Sequence, residues 1–271
     1  MNWLKSIFYG LLCGLSEYLP ISLSGHQSLF AGLFGAQIRN PVSDLLIHLS
    51  LLVVVVLTNY SFVMRIRREL KVSVQRSRHD RITHSARYDS QLIKAASLPL
   101  IIMLFLRPLV FDVFDNSLFL AFGFLLNGIV LHLPSRLMKG NKNARSMSAA
   151  DAFLIGAAGC LSVFPGISGI GASLSVAAMR GADCNDALNW GLILCIPALI
   201  VQCIIDVFSI PGANFVTYAF GHYLLIILGT VAGGYLSVLM IRALSSRNGI
   251  SGFAFYSWGA ALLSLILFMI V

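Results

Sequence analysis

The chain has 271 residues, of which 58% are hydrophobic and 11% are charged, whereas charged residues make up about 25% of an ordinary soluble domain. So little polar surface cannot cover a globule of this size in water, which excludes a soluble domain and predicts a protein covered in part by lipid. The net charge of +8 does not indicate nucleic acid, because the basic residues cluster beside long apolar runs, as in the cytoplasmic loops of membrane proteins.

Six apolar segments are long enough, or nearly so, to cross a bilayer, which takes about 20 residues. In chain order they are 44–63, 93–110, 117–134, 187–206, 217–241 and 250–271. Two further apolar regions, 3–36 and 151–182, are interrupted. Polar and small residues break the first between Glu17 and His26, and glycines and serine break the second between Pro165 and Gly171.

The orientation follows from the basic loops. Of the 19 Lys and Arg residues, nine lie at 65–94 and four at 136–145. With both stretches in the cytoplasm, region 3–36 must enter and leave on the outer side, and region 151–182 on the inner side. Sixteen basic residues then lie inside and three outside, which is the expected bias. Both chain termini are predicted to lie outside.

The two interrupted regions also read alike, LSEYLPISLSG at 15–25 and LSVFPGISGIG at 161–171. Inserted from opposite faces, they predict an inverted repeat whose discontinuous helices meet near the midplane, because such backbone persists in a membrane only when it is buried in protein or lines a wet cavity. The predicted fold is therefore all-α, a polytopic membrane protein with six transmembrane helices and two re-entrant helix pairs. Its single domain covers 1–271, with a first repeat at about 1–134, a second at about 151–271 and a basic cytoplasmic loop at 64–92.

Glu17 and His26 are the first candidates for chemistry. A carboxylate in a membrane segment is costly unless it is paired or hydrated, so Glu17 indicates function. The alternative is an acid that meets water near the outer interface. His26 is either a general base or nucleophile, or a structural histidine that bonds a broken helix end.

Serines and glycines at the two breaks favour an anion site. Ser22, Ser24, Ser168 and Ser173 either cap the half-helices or contact substrate, and both roles are compatible because the N–H groups at a helix N-terminus bind anions. The glycine-rich second break would let the backbone approach a phosphate closely. Its candidate contacts are Gly166, Gly169 and Gly171.

Three polar residues lie near the predicted outer ends of full spans. Asp44 and His48 open the first span, and either could face the same cavity as the breaks. Asp206 is interpreted as an interfacial acid.

At these residues the chain resembles the bacterial undecaprenyl-diphosphatase family, also called bacitracin-resistance proteins. That family has a first motif of the type E-G-L-T-E-F-L-P-[IV]-S-S-[ST]-G-H, and residues 13–26 read CGLSEYLPISLSGH. Its second motif is P-G-[TV]-S-R-S-G-x-[ST], and residues 165–173 read PGISGIGAS. The resemblance spans most of the chain.

The resemblance implies removal of the terminal phosphate from undecaprenyl diphosphate, giving the undecaprenyl phosphate that is recycled as the carrier lipid of cell-wall synthesis. It implies a multi-pass protein of the bacterial inner (cytoplasmic) membrane, a polyprenyl (di)phosphate lipid as partner besides the bilayer, and a divalent cation, Mg²⁺ or Ca²⁺, at Glu17. The resemblance is also compatible with a homodimer. Glu17, Ser22, Ser24, His26, Ser168 and Ser173 match the motifs. The resemblance and the residue pattern together predict four catalytic residues, Glu17, His26, Ser24 and Ser168. The predicted substrate contacts are Ser22, Gly166, Gly169, Gly171, Ser173 and His48.

Four positions depart from the family motifs. Cys13 replaces the first acid, Leu23 the middle serine, Gly169 the arginine and Ile170 the serine after it. An arginine offers a bidentate fork for phosphate, and loss of such a donor costs on the order of a hundredfold to a thousandfold in rate.

Two main hypotheses for the function follow. The favoured one is an undecaprenyl-diphosphate phosphatase, and the other is a catalytically impaired homologue that binds or transports polyprenyl phosphate lipids. Hydrolysis of another lipid phosphate is a third.

Overall fold

The computed structural model describes residues 2–35, 40–75, 84–105, 110, 116–136, 140, 142, 146–211, 217–245 and 249–270. Within these residues the regular structure is helical and no strand forms, which confirms the predicted all-α class. The helices are α1 Trp3–Tyr18, α2 Leu23–Phe34, α3 Pro41–Thr58, α4 Tyr60–Gln75, α5 His84–Phe105, α6 Ser117–His132, α7 Ala149–Gly159, α8 Gly169–Met179, α9 Cys184–Ser209, α10 Phe220–Ser245 and α11 Gly252–Ile270. Short 3₁₀ turns lie at Leu133–Arg136, Cys160–Val163 and Gly249–Ser251.

Four of the described helices, α3, α9, α10 and α11, are long and apolar enough to cross a membrane. The other two predicted spans correspond to shorter apolar stretches, Ile93–Ile102 in α5 and Ser117–His132, which is α6. Large apolar side chains on the long helices, including Leu57, Phe208 and Phe220, are exposed. Apolar surface of this extent marks a face that contacts membrane, so the polytopic architecture is confirmed.

The predicted basic loop at 64–92 is in part helical. Helix α4 continues to Gln75 and α5 already begins at His84, while residues 76–83 lie outside the described part of the chain. The helical stretches agree with the good helix propensity of Arg, Lys, Glu and Leu, and the cytoplasmic loop between two spans stays a prediction.

Each interrupted region folds as two helices joined by a short turn. Helix α1 is followed by Leu19, and the 3₁₀ turn after α7 by Phe164; both residues are extended, with ψ of 148° and 127°. Each precedes a proline, which disfavours helical backbone in the residue before it and offers no N–H of its own. Pro20 and Pro165 therefore end the first helix of each pair.

The second helix of each pair begins with a serine N-cap. Ser22 Oγ accepts a hydrogen bond from the Gly25 N–H at 3.2 Å, and Ser168 Oγ accepts one from the Gly171 N–H at 3.2 Å. Each bond satisfies one of the free N–H groups that open a helix. Of the two compatible roles that the sequence leaves open for the serines, the structure shows capping for Ser22 and Ser168.

The helices of the two halves pack in corresponding ways. Helix α1 packs on α10 as α7 packs on α5, and α3 contacts α9 as α6 contacts α11. Both α1–α10 and α7–α5 rely on backbone contact at glycine: a Cβ on Gly14 would lie 2.4 Å from the Thr230 carbonyl oxygen, and one on Gly156 would lie 1.8 Å from that of Ala96. The division of the chain into two repeats stays a prediction.

Candidate functional site

The two breaks meet at one cavity of about 80 Å³. Its walls come from the turn between α1 and α2, the start of α8, and the facing sides of α3, α5 and α9. The polar residues among its lining are Glu17, Ser22, Ser24, His48, Ser162, Ser168, Ser173 and Gln202. Residues separated by more than 140 positions thus line one cavity, as the pairing of the two interrupted regions predicted.

Backbone contact between the breaks explains two of their glycines. A Cβ on Gly25 would lie 2.9 Å from the Gly166 Cα atom. Gly166 itself has a φ of 91°, which favours glycine, and a Cβ on it would lie 2.7 Å from the Phe124 backbone nitrogen of α6. Gly166 therefore serves close packing against α2 and α6, and it is not among the cavity-lining residues.

Asn127 of α6 connects the two breaks and was missed by the sequence analysis. It is fully buried. Its Nδ2 donates to the Pro20 carbonyl oxygen at 3.0 Å and to Ser257 Oγ at 2.9 Å, while its Oδ1 accepts from the Ser168 N–H at 2.9 Å. The signal was present, because a lone amide inside an otherwise apolar span needs buried partners.

The electrostatics of the cavity come from helix ends rather than basic side chains. The N-cap serines of both α2 and α8 line the cavity, so two helix N-termini open onto it. Each carries a partial positive charge and unpaired N–H donors, which together favour an anion. Among the described lining residues there is no Lys or Arg, so these two helix ends provide the positive potential of the site.

Gly169 lines the cavity at the position of the family arginine. A Cβ built on Gly169 would lie 3.0 Å from the Ser162 Cβ and 3.1 Å from the Gly159 carbonyl oxygen, which is tighter than ordinary contact. The local backbone is therefore packed for glycine, and a larger residue requires Ser162 to yield.

Glu17 is the carboxylate among the lining residues. Cys13, at the position of the other family acid, is fully buried in the core and is not part of the lining. No group of three or more His, Cys, Asp or Glu side chains suited to a metal occurs among the described residues. One carboxylate with neighbouring hydroxyls does fit Mg²⁺, which commonly binds through one or two carboxylates, keeps several waters and takes other ligands from substrate phosphates.

His48 lines the cavity and forms an ion-pair geometry with Asp206. The two atoms His48 Nδ1 and Asp206 Oδ2 are 2.5 Å apart, and both residues are buried. The interpretation of Asp206 as an interfacial acid was wrong, because α9 turns its carboxylate inward to α3. Asp44 does not line the cavity; its Oδ1 accepts a hydrogen bond from Gln27 Nε2 at 3.0 Å.

His26 lies outside the cavity lining. Its Nδ1 is 2.8 Å from the Ser22 carbonyl oxygen and its Nε2 is 2.7 Å from the Tyr256 hydroxyl. Tyr256 and His26 instead border a second, mainly apolar cavity of about 420 Å³ between α1, α2 and α11.

Most of the predicted site residues line the first cavity: Glu17, Ser22, Ser24, His48, Ser168, Gly169 and Ser173. The structure leaves His26, Gly166 and Gly171 outside this lining.

Comparisons with known proteins cover nearly the whole chain. Residues 6–263 match the family model described as "Bacitracin resistance protein BacA". The chain is 27% identical over 270 residues to an undecaprenyl-diphosphatase of Carboxydothermus hydrogenoformans, covering 98% of both chains. It is 28% identical over 261 residues to an undecaprenyl-diphosphatase of Prochlorococcus marinus, covering 94% of both. A relative of the same name from a Nocardioides species is 26% identical over 269 residues, covering 98% of this chain and 97% of the relative.

Proposed function

Because the chain belongs to the bacitracin resistance protein BacA family, as its motifs indicated, we propose that it removes the terminal phosphate from undecaprenyl diphosphate. The reaction is a phosphoric anhydride hydrolysis that yields undecaprenyl phosphate, the carrier lipid recycled for cell-wall synthesis. The observation that carries the proposal is the single cavity onto which two helix N-termini open beside the carboxylate of Glu17.

The diphosphate headgroup would enter this cavity and take its main contacts from the helix ends. The free N–H groups at the starts of α2 and α8 would donate to phosphoryl oxygens. Ser22 and Ser168 accept backbone N–H bonds through Oγ, which leaves each hydroxyl proton available to a phosphate oxygen. Ser24 Oγ lies 3.4 Å from Ser22 Oγ and extends this row of donors.

Glu17 would hold the divalent cation, Mg²⁺ or Ca²⁺, together with oxygens of the substrate. Such an ion polarises phosphoryl oxygens and neutralises charge that develops on them. The chain's own part is to fix the carboxylate at the end of α1, next to the hydroxyls that orient the headgroup. In a cavity with no Lys or Arg among its described lining residues, a cation also offsets the repulsion between Glu17 and the diphosphate.

Three further residues remain predicted catalytic residues, His26, Ser24 and Ser168, but they differ in their position relative to the cavity. Both serines line it. His26 would have to give up its 2.7 Å contact with the Tyr256 hydroxyl before it could reach a substrate there.

The setting of the protein is proposed from the charge pattern and the family. The chain would lie in the bacterial inner membrane with both termini outside, in two inverted repeats at about 1–134 and 151–271. The corresponding packing of α1 on α10 and α7 on α5 supports the repeats. A polyprenyl diphosphate lipid and the bilayer are the proposed partners, and a homodimer stays a prediction.

The testing experiment is phosphate release from undecaprenyl diphosphate by the purified protein, with Mg²⁺, with Ca²⁺ and with a chelator. Binding of the lipid is measured in parallel. We expect release by the wild type and none above background from Glu17→Ala. A wild type that binds the lipid but releases no phosphate under any of these conditions would refute the phosphatase and leave the lipid binder or transporter as the function.

One observation favours that second function: the site has Gly169 where the family arginine would hold phosphate. The variant Gly169→Arg tests whether the missing arginine limits activity. It is combined with Ser162→Gly, which removes the side chain that a new Cβ would meet at 3.0 Å. For an enzyme of low activity, we expect faster phosphate release from the double variant than from Ser162→Gly alone. Equal release from both would count against the missing arginine as the cause of low activity.

A further inference from the structure

The two histidines near the breaks differ in what their ring nitrogens contact. The Ser22 carbonyl oxygen can only accept, so the 2.8 Å contact places the proton of His26 on Nδ1, and its Nε2 then accepts from the Tyr256 hydroxyl. Both nitrogens of His26 are therefore engaged, and neither lies in the lining of the first cavity.

His48 has the opposite arrangement. The Asp206 carboxylate accepts from Nδ1 at 2.5 Å, which sets the tautomer with a lone pair on Nε2. The described residues give His48 this one hydrogen bond, and the imidazole lines the cavity that also contains Glu17 and the N-cap serines. A histidine whose Nδ1 is held by a carboxylate and whose ring lines a substrate site has the arrangement used in general base catalysis.

The pair is buried between two packed helices. His48 lies in the third turn of α3 and Asp206 near the end of α9, and these two helices pack directly. The exposed fractions of His48 and Asp206 are 3% and 8%. A buried carboxylate needs a partner, and Asp206 finds it in His48 Nδ1, which fixes the orientation of the imidazole ring.

We propose that His48 is the catalytic base of this protein and that Asp206 is its positioning residue. The proposal rests on the proposed phosphatase function. A water oxygen forms a bond to the terminal phosphorus while His48 Nε2 takes a proton from that water. The bond between this phosphorus and the bridging oxygen breaks, and its electron pair leaves with the lipid monophosphate. The imidazolium then gives its proton to the released phosphate or to solvent, which restores the neutral ring.

The test measures kcat and KM for phosphate release from undecaprenyl diphosphate. We expect His48→Gln to lower kcat by about a hundredfold or more, as for loss of a general base, with KM within about threefold of the wild type. Asp206→Asn should lower kcat in the same direction, and Asp206→Glu, which restores the charge, should recover part of that loss. A purely structural role would lower the amount of folded protein and would not produce this split between kcat and KM.

The matched control is His222→Gln, because His222 also bonds a neighbour through Nδ1, with Ser6 Oγ at 2.8 Å, yet lies outside the cavity lining. It should leave kcat unchanged. If His48→Gln fails to fold, Asp206→Asn carries the test, since Asn nearly preserves the shape of Asp.

The outcomes separate this inference from the proposed function. Phosphate release that survives in both His48→Gln and Asp206→Asn overturns the dyad while leaving the phosphatase intact. Release that is lost in His26→Gln but retained in His48→Gln also overturns it and assigns the base to His26. A wild type without release refutes both proposals together.

Discussion

The two breaks have the same construction but different contents. In each, a proline follows the first helix, a serine caps the second, and one residue lies in the left-handed region of φ: Ser22 at 74° in the first break and Gly166 at 91° in the second. The first break adds the carboxylate of Glu17 to the cavity, whereas the described lining residues of the second are glycines, serines and apolar side chains.

The two breaks therefore contribute differently to the site: the first adds a carboxylate, and the second adds closely packed backbone. The second break has glycine at its positive φ, so no side chain stands in the way where Gly166 approaches α2 and α6. The first break places a serine at a positive φ, which costs of order 1–3 kcal/mol for a residue with a side chain. Such strain is retained where a side chain is needed at that point, and Ser22 lines the cavity.

The largest effect is expected when the charge of the first break is removed. Glu17→Gln keeps the side-chain shape but loses the carboxylate, and it should lower the rate of phosphate release by about a hundredfold to a thousandfold. Thermal stability in detergent should fall little. Asp44→Asn is the control, because Asp44 is a carboxylate of the neighbouring α3 that does not line the cavity. Equal losses in both variants would contradict a special role for Glu17.

A change at the second break should act on the fold instead. Gly166→Ala adds a Cβ at a φ of 91° and 2.7 Å from the Phe124 nitrogen, so strain and overpacking together should cost about 3 kcal/mol. The thermal unfolding midpoint should drop by several degrees. Gly32→Ala, on α2 with open space around the new methyl group, should keep or raise the midpoint, because alanine is the better helix former; a similar drop in both would count against the close packing of the second break on α6.

The sequence predicted the breaks better than it predicted their contacts. Pro20, Pro165 and the serines after them have local effects, so the ends of α1, α2 and α8 could be read from neighbouring residues. Asp206 could not, because its partner His48 is 158 positions away and only the packing of α9 on α3 brings them together. The same holds for His26. Its motif indicated a functional site, but the orientation of its imidazole ring depends on Tyr256, near the other end of the chain.

The bridge between the breaks should show a smaller effect. Asn127→Leu removes the acceptor of the buried Ser168 N–H and the donor to the Pro20 carbonyl oxygen, and an unsatisfied buried polar group costs about 1–3 kcal/mol. We expect a loss of about 2 kcal/mol in the free energy of unfolding, measured by denaturant titration in detergent. Ser257→Ala removes only the third partner of Asn127 and should cost less. If Ser257→Ala costs as much, the bridge to the breaks is not what Asn127 provides.

The smallest effect compares the two N-cap serines directly. Replacing either with glycine removes the capping hydroxyl, which costs only a few tenths of a kcal/mol, and adds freedom to the unfolded chain, which costs about 0.5–1 kcal/mol. Ser22→Gly also relieves the strain of φ 74°, while Ser168, with φ of −87°, has none to relieve. Ser22→Gly should therefore unfold at a higher midpoint than Ser168→Gly, by about 1 kcal/mol in free energy. Equal midpoints would mean that Ser22 carries no strain, and the contrast between the breaks would then rest on Glu17 alone.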